Sequence, residues 1–276
     1  MDETTNRAGW QGLPEWQGDT GRRWAAASGT ADAQFGRLSE AGYRALGSIE
    51  GLRVLDVGCG SGGTTAELAG SVGSAGRVVG IDPNPEVLEH ARGACAGLPV
   101  EFVLGDAQTH PFGDGEFDVV FSRLGVMFFE DPAAAFTNLR RATARQGRLV
   151  FSCWPTREFV PLLLLPLRAL SGLVELPPPA PPGSPNPFSL GDVAATTALL
   201  ERAGWHDIAV EEVRWTVELP DDARAAAEQW LTTIPVTLSV RDPEPAIRAR
   251  LLDALAAAVP ASRRLEQLAY SITARA

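Results

Sequence analysis

The fold of this chain is decided by one stretch, Arg53-Val54-Leu55-Asp56-Val57-Gly58-Cys59-Gly60-Ser61-Gly62-Gly63-Thr64. An apolar run that holds one carboxylate leads into closely spaced glycines, and helix-forming residues follow. This order predicts a strand, a tight turn and the start of a helix. Because glycine has no Cβ, such a turn brings backbone N–H groups against a nucleotide-like ligand. Gly58, Gly60 and Gly63 also satisfy the dinucleotide pattern G-x-G-x-x-G, so the turn alone leaves the ligand open.

Around this stretch, short β-rich runs alternate with helical patterns from about residue 50 to residue 155, which is typical of βαβ units. Continuous apolar runs such as Val119-Val120-Phe121 indicate strands covered on both faces. We therefore predict an α/β fold, a Rossmann-like seven-stranded and mostly parallel sheet with helices on both faces. The predicted strands are residues 53–57, 78–81, 100–104, 117–122, 147–154, 208–219 and 269–274, and the predicted helices include 64–69, 85–96, 132–144 and 191–203.

The same patterns divide the chain into segments of a single domain. The segments are an N-terminal helical arm (1–48), a ligand-binding core (49–154), a proline-rich lid (155–187), a continuation of the core (188–220), a helical substrate-covering insertion (221–266) and a final strand (267–276). The apolar run Leu162-Leu163-Leu164-Leu165 lies in the lid between two prolines. The apolar stretch around it, residues 159–176, has only about the minimum length that a helix needs to cross a bilayer. We expect a buried or lid helix there and no membrane span.

Composition excludes several classes of protein. The 276 residues carry a net charge of −10, so no basic excess is available for a nucleic-acid backbone. All 24 basic residues are arginine, which excludes a Schiff-base lysine, a pyridoxal phosphate anchor and a P-loop lysine. The three cysteines are far apart and form no C-x-x-C motif, so neither a disulfide framework nor a zinc site is indicated. With a polar, acidic N-terminus unlike a signal peptide, these features favour a cytoplasmic protein.

Three carboxylates stand at the ends of three successive predicted strands: Asp56, Asp82 and Asp106. In an open α/β sheet the ligand lies beyond the carboxyl ends of the strands. At these positions Asp82 can accept both hydroxyls of a ribose, Asp106 can accept from an exocyclic amine, and Asp56 can face an ammonium group.

A nicotinamide dinucleotide is the rival ligand, because Asp82 would hold its ribose equally well at about the expected spacing. Two features count against it. A carboxylate at Asp56 would repel a pyrophosphate, and Asp106 has no partner in that scheme.

With these residues the chain resembles the class I S-adenosylmethionine-dependent methyltransferases, in particular the bacterial small-molecule branch with the ubiquinone and menaquinone type of core. The matching elements are residues 54–62, 79–83, 102–107 with Phe112, and 117–122, and the likeness covers about residues 50–155. It implies S-adenosylmethionine as cofactor and S-adenosylhomocysteine as product. It also implies an N-terminal helix that closes over the cofactor. The cofactor-binding residues that it implies are Trp24, Asp56, Gly58, Gly60, Gly62, Asp82, Pro83, Asp106, Ala107 and Ser122.

Methyl transfer from a sulfonium requires alignment of the acceptor and exclusion of water, and a base only if the acceptor must lose a proton. His110 is the candidate base and Arg123 the candidate for orienting the acceptor, although each also has a structural interpretation: a loop hydrogen bond for His110, a carboxylate partner for Arg123. We expect no metal, because Asp118 and Asp131 belong to a strand start and a helix cap.

The favoured function is transfer of a methyl group to an apolar or aromatic small molecule, at oxygen or nitrogen. The lid and the insertion are rich in Leu, Pro, Ala and Trp, which favours such an acceptor. The alternatives are a cyclase or pericyclase on the same scaffold, with the cofactor as a structural element, and a methyltransferase acting on a peptide.

Overall fold

Seven strands form the centre of the protein. In the computed structural model, which describes residues 19–174, 184–233 and 243–276, they are β1 (Arg53–Val57), β2 (Arg77–Asp82), β3 (Val100–Leu104), β4 (Phe117–Arg123), β5 (Thr143–Cys153), β6 (His206–Glu218) and β7 (Arg264–Arg275). They form one sheet in the order β3-β2-β1-β4-β5-β7-β6. Pairing is parallel from β3 to β5, whereas β7 runs antiparallel to both β5 and β6. The predicted seven-stranded, mostly parallel sheet is therefore confirmed.

The helices are α1 (Asp19–Leu46), α2 (Gly63–Val72), α3 (Pro85–Ala94), α4 (Pro132–Ala142), α5 (Pro161–Leu170), α6 (Val193–Arg202), α7 (Ala223–Thr233) and α8 (Pro245–Ala258). Those of the core begin where the sequence signals them. The Asn84 side chain accepts from the backbone N–H groups of Glu86 and Val87 at the start of α3. Asp131 does the same for Ala134 at the start of α4, so its predicted role as a helix cap is confirmed.

Successive side chains of a strand point to opposite faces of the sheet. Because both faces carry apolar side chains, helices cover both of them. On one face Val54 of β1 packs in a buried cluster with Leu68 and Val72 of α2. On the other face Leu55 belongs to a larger cluster that includes Phe136 of α4. The same alternation decides which side chains of β1 reach a ligand.

Several element boundaries differ from the prediction, and the two largest differences among the strands are the beginnings of β5 and β7. The chain was expected to stay helical to residue 144, but β5 already begins at Thr143, which pairs with Phe117 across a register shift. Strand β7 begins at Arg264 within the predicted helical insertion, because its first residues pair with the far end of β6, with Arg264 opposite Glu218. Strand formation here depends on partners distant in sequence, which charged residues do not signal locally.

Parts of three predicted segments lie outside the described residues: 1–18 of the arm, 175–183 of the lid and 234–242 of the insertion. The described part of the arm is α1, and that of the lid includes α5. Along the described ranges, no helix has both the length and the apolar character needed to cross a membrane.

Candidate functional site

The glycine turn joins β1 to α2 and is held by the neighbouring strand. The backbone N–H groups of Gly58 and Cys59 both donate to the Ile81 carbonyl, at 2.9 and 3.2 Å. Gly58, Gly60 and Gly62 all have positive φ angles, and Gly62 adopts the left-handed conformation at the start of α2. A Cβ on Gly58 would lie 2.9 Å from the Cα atom of Gly125. The predicted turn therefore requires glycine because its φ angles are positive, and at Gly58 also because a Cβ atom has no space.

A cavity of about 230 Å³, here called the central cavity, opens against this turn. It lies at the carboxyl ends of β1, β2 and β4, where ligands bind in open α/β sheets. Its walls come from the carboxyl edge of the sheet and from the helices α1, α2, α3 and α5. The lining includes residues 58–61, 63–64, 82–84 and 123–125, with Asp32, Gln34 and Phe35 of α1 and Leu162 and Leu163 of α5.

Asp82 lies in this wall at the end of β2, followed by Pro83. Its carboxylate accepts from the backbone N–H of Gly60 at 3.0 Å and from that of Asn84 at 2.9 Å. Burial raises the pKa of Asp82 to about 6, although both backbone hydrogen bonds act in the opposite direction. Asp82 is therefore a half-buried acceptor that links the glycine turn to the cavity.

Asp56 occupies a different environment from the one expected. Its side chain is fully buried and does not line the central cavity. Its Oδ2 atom accepts from the hydroxyls of Thr64 and Thr65 at 2.9 and 2.7 Å, and burial raises its pKa. Because Asp56 points to the same face of β1 as Val54, its carboxylate meets the first turn of α2 and not the ligand space. The Oδ1 atom of Asp56 is buried without a partner among the described residues, so contact with an ammonium group, directly or through water, stays a prediction.

Asp106 and Ala107 also lie outside the central cavity. Asp106 is exposed and accepts from the backbone N–H of Gln108 at 2.8 Å, which closes a local turn. Ala107 is buried, and its carbonyl accepts from the Asn138 side chain at 3.0 Å. The structure therefore gives this pair a role in shaping the loop after β3.

Ser122 is a structural link beneath the cavity. Its buried hydroxyl donates to the Val57 carbonyl at 2.8 Å and accepts from the Gly125 N–H at 3.2 Å, so it joins β4 to β1. It does not line the cavity. The side chain of Trp24 lies outside the described part of the chain.

His110 lies in a second, shallow groove, together with Gln108, Asp131 and Arg141. Its ring packs on Phe112 with centroids 4.6 Å apart, and its backbone N–H donates to the Asp106 carbonyl at 2.8 Å. His110 therefore lines a different surface from the central cavity, and its role as a base stays a prediction without support from this geometry. The contacts of His110 fit the alternative interpretation, in which this residue helps to form the loop after β3.

Arg123 does line the central cavity, and it has the carboxylate partner that one of its two interpretations expected, although the sequence did not indicate which residue this is. Its guanidinium donates to the Ser39 hydroxyl at 2.9 Å through Nη1 and pairs with the Asp32 carboxylate through Nη2. Asp32 and Ser39 both belong to α1. Asp32 precedes Arg123 by 91 positions in the sequence. No local motif marks Asp32, since an acidic residue within a long helix usually belongs to a solvated face.

The far side of the cavity is apolar and aromatic. We call the group formed by Phe35, Met127, Phe128, Trp154, Leu162 and Leu163 the apolar end of the cavity. Phe35 packs edge-on against Trp154 at 5.6 Å, and Trp215 stacks behind Trp154 at 6.0 Å. Trp154 directly follows β5, at the carboxyl end of the strand, and Leu162 and Leu163 belong to the leucine-rich lid from which an apolar acceptor site was predicted.

One polar group borders the apolar end. Gln34 lines the cavity, and its side-chain Nε2 is buried without a hydrogen-bond partner among the described residues. The carbonyl of Gln34 accepts from the Trp215 indole N–H at 2.8 Å, which fixes this part of α1 against β6. An unpaired buried donor costs free energy unless a ligand supplies an acceptor.

Within the described residues, no three His, Cys, Asp or Glu side chains are grouped so that they hold a metal ion. The Cys59 thiol touches the cavity, but burial raises its pKa well above the usual range, and the thiol stays protonated.

Comparison with known sequences identifies the core. Residues 55–151 match the family described as methyltransferase domain. An uncharacterised protein of Mycobacterium tuberculosis is 36% identical over 140 residues, which are 49% of this chain and 50% of that protein. The demethylmenaquinone methyltransferase of Lactococcus lactis is 35% identical over 108 residues, 38% of this chain and 43% of that enzyme. The chain thus covers half or less of the length of these relatives.

Solved structures share the fold over most of the chain. Phosphoethanolamine N-methyltransferase 2 of Haemonchus contortus, crystallised with phosphomonomethylethanolamine and S-adenosylhomocysteine, superposes with a TM-score of 0.55 at 16% identity, over 86% of this chain and 52% of that chain. The [4+2]-cyclase SpnF superposes with a TM-score of 0.52 at 19% identity, over 87% of this chain and 80% of that chain. At these identities the likeness is one of fold.

Proposed function

We propose, on the premise that residues 55–151 of this chain form a class I methyltransferase domain, that the protein binds S-adenosylmethionine in the central cavity and transfers its methyl group to a small-molecule acceptor. The observation that carries this proposal is the contact between Asp82 and the glycine turn. It places a half-buried carboxylate beside bare backbone at the carboxyl edge of the sheet.

The donors and acceptors in the cavity fit that cofactor. Asp82 can accept from the two ribose hydroxyls, and the glycine turn leaves room where any Cβ would stand at Gly58. The Ser61 hydroxyl lines the cavity and is buried without a partner among the described residues, so it is available to a polar ligand. When bound, the cofactor supplies an electrophilic methyl group on a positively charged sulfur.

This chain's own contribution is alignment and exclusion of water. Helix α1 covers the turn from one side through Asp32 and Phe35, and α5 covers the apolar end through Leu162 and Leu163. Methyl transfer removes the positive charge of the sulfonium, so apolar side chains around the acceptor do not oppose the reaction. Positioning of the acceptor in line with the methyl group is then the main catalytic requirement.

The acceptor that fits is an apolar or aromatic small molecule with one hydrogen-bond-accepting group. The aromatic rings of the apolar end offer stacking surfaces, and the Gln34 side-chain amide offers a buried donor. Among the described lining residues the ionisable side chains are Asp32, Cys59, Asp82 and Arg123. None of them belongs to the apolar end, which favours an acceptor oxygen or nitrogen that is nucleophilic without a protein base.

The test is incubation with S-adenosylmethionine labelled in its methyl group and a panel of phenols, naphthols, aromatic amines, polyketides and peptides. Label transfer to an apolar aromatic acceptor supports the proposal, provided that Asp82→Ala abolishes it and Asp114→Ala, an exposed carboxylate outside the cavity, does not. Transfer to peptides alone would contradict a small-molecule acceptor. Failure of the wild type to bind S-adenosylhomocysteine would contradict the cofactor.

A cyclase is the second candidate, since a pericyclic reaction needs no base and the described apolar end provides none. The fold shared with the cyclase SpnF permits this alternative. Conversion of a polyene substrate to an isomer of unchanged mass, with the label retained on the cofactor, would favour it over methyl transfer.

A further inference from the structure

The wall of the central cavity contains one pair of opposite charges, Asp32 and Arg123. The two side chains form an ion pair, with 38% of the Asp32 side chain and 17% of the Arg123 side chain exposed. Asp32 comes from α1 and Arg123 from the end of β4, and both line the cavity. A partly buried pair of this kind holds its charges at a defined place in the ligand space.

The pair stands directly beside the glycine turn. The carboxylate of Asp32 lies against Gly63, the first residue of α2, so close that a Cβ on Gly63 would come within 2.8 Å of the Asp32 carboxyl carbon. The hydroxyl of Ser39, which accepts from the other terminal nitrogen of Arg123, fixes the guanidinium from behind. Two opposite charges therefore lie beside the start of α2, in the wall of the cavity.

An independent observation indicates that this side of the turn receives a polar ligand. The Ser61 hydroxyl is buried, lines the same cavity and has no partner among the described residues. A buried hydroxyl without a partner is unfavourable, and a ligand carboxylate would satisfy it. The Oδ2 atom of Asp56, which the sequence suggested for contact with a cationic group, is bonded to Thr64 and Thr65, and Asp56 does not line the cavity, whereas Asp32 does.

We infer that Asp32 and Arg123 form a two-point clamp for the amino-acid end of the cofactor, in which Arg123 binds the α-carboxylate and Asp32 binds the α-ammonium. This inference rests on the proposed function. Insertion of a zwitterion between the two side chains leaves each charge with an opposite partner, so no buried charge becomes unpaired. Because Asp32 belongs to α1, the clamp also couples cofactor binding to the position of the arm helix.

Two ligands distinguish binding by the clamp from binding by the rest of the site. S-adenosylhomocysteine carries the amino-acid group, and 5′-methylthioadenosine has the same nucleoside and sulfur but lacks that group. Calorimetric dissociation constants of both ligands would be measured for the wild type, Asp32→Asn and Arg123→Met. We expect each variant to bind S-adenosylhomocysteine about 10- to 100-fold more weakly and methylthioadenosine within about twofold of the wild type.

The same helix provides matched controls. Arg37 and Glu40 form an exposed ion pair on α1, so Glu40→Gln and Arg37→Met repeat the two chemical changes outside the cavity. Both controls should bind both ligands as the wild type does. Asp32→Glu should bind S-adenosylhomocysteine more tightly than Asp32→Asn does, because it keeps the negative charge of the side chain.

Methylthioadenosine binding also reports whether a variant is folded. Equal weakening of both ligands would show that the ion pair only supports the fold, and unchanged binding of both would show that it has no role; either result overturns the clamp. Binding of neither ligand to the wild type would overturn the proposed cofactor site, and the clamp with it. Normal wild-type binding with no preference for S-adenosylhomocysteine would overturn the clamp alone.

Discussion

Gly58 and Gly125 touch through their backbones: a Cβ on Gly58 would lie 2.9 Å from the Cα atom of Gly125, and a Cβ on Gly125 would lie 2.7 Å from the Val57 carbonyl oxygen. The glycine turn after β1 and the segment after β4 therefore meet without any side chain between them. This contact sets the floor of the central cavity, since residues of both segments line it.

Substitution of either glycine should open this floor. Gly58→Ala adds a methyl group at a positive φ angle and against backbone, so we expect the free energy of unfolding to fall by about 2–4 kcal/mol and binding of S-adenosylhomocysteine to be lost. Chemical denaturation and calorimetry measure the two effects. Gly70→Ala is the control, because Gly70 lies in α2 with no atom near its missing Cβ, and it should gain about 0.5–1 kcal/mol. A fully stable, ligand-binding Gly58→Ala protein would contradict the described turn.

Affinity for S-adenosylhomocysteine should depend on pH through Asp82. An ionised carboxylate can accept from both ribose hydroxyls, whereas the protonated carboxyl group carries a hydroxyl donor and is the weaker acceptor. With a pKa of about 6 for Asp82, affinity is therefore full above that pH and falls as the pH is lowered through it. Only about one tenth of the Asp82 carboxyls are ionised at about pH 5, so we expect about a tenfold loss between about pH 7.5 and pH 5. Asp82→Asn should bind more weakly at all pH values and without this dependence. An equally steep pH profile in that variant would assign the titration to another group.

Loss of the His110 imidazole should leave catalysis intact. The ring packs on Phe112 in the second groove and not in the central cavity, so His110→Gln should change kcat and the Kd for S-adenosylhomocysteine by no more than about threefold. Steady-state kinetics with an acceptor from the panel measure this. A hundredfold fall in kcat at unchanged cofactor affinity would restore the base that the sequence suggested.

The apolar end can be filled from α5. Leu163→Trp places a larger side chain in the wall of the cavity, and we expect methyl transfer to fall at least about tenfold while cofactor affinity is retained, because alignment of the acceptor is lost. The neighbouring Leu164→Trp makes the same change at a position that does not line the cavity, and it should transfer normally. If both variants behave alike, the acceptor does not bind at the apolar end.

Gln34 should select acceptors that carry an oxygen. Removal of its buried amide in Gln34→Leu should raise KM for a naphthol about five- to tenfold, which is the value of one hydrogen bond, and leave the Kd for S-adenosylhomocysteine unchanged. Gln108→Leu, in the second groove, is the matched control. A lower kcat with unchanged KM would point to a role in the reaction itself and not in acceptor binding.

Local sequence predicted the fold and one part of the site because their causes are local. A strand that ends in glycines, Asn84 followed by Pro85, and Asp131 followed by Pro132 each fix an element boundary through neighbouring residues. The beginning of β7 was not predicted, since Arg264 becomes part of a strand only through its pairing with Glu218. Likewise the alternation of β1 turns Asp56 toward Thr64 and Thr65, a consequence that follows once α2 is placed over Val54.

By itself, therefore, the sequence determined the class of protein: an α/β sheet with a glycine turn and a carboxylate at Asp82, features that depend on residues close together in the chain. Only the tertiary structure decided which of the other polar groups reach the ligand space. It buries Asp56, moves Asp106 and His110 to other surfaces, and brings Asp32 across 91 positions to Arg123. The physical reason is that the burial and pairing of a charge are set by the elements packed around it, and those elements come from distant parts of the chain.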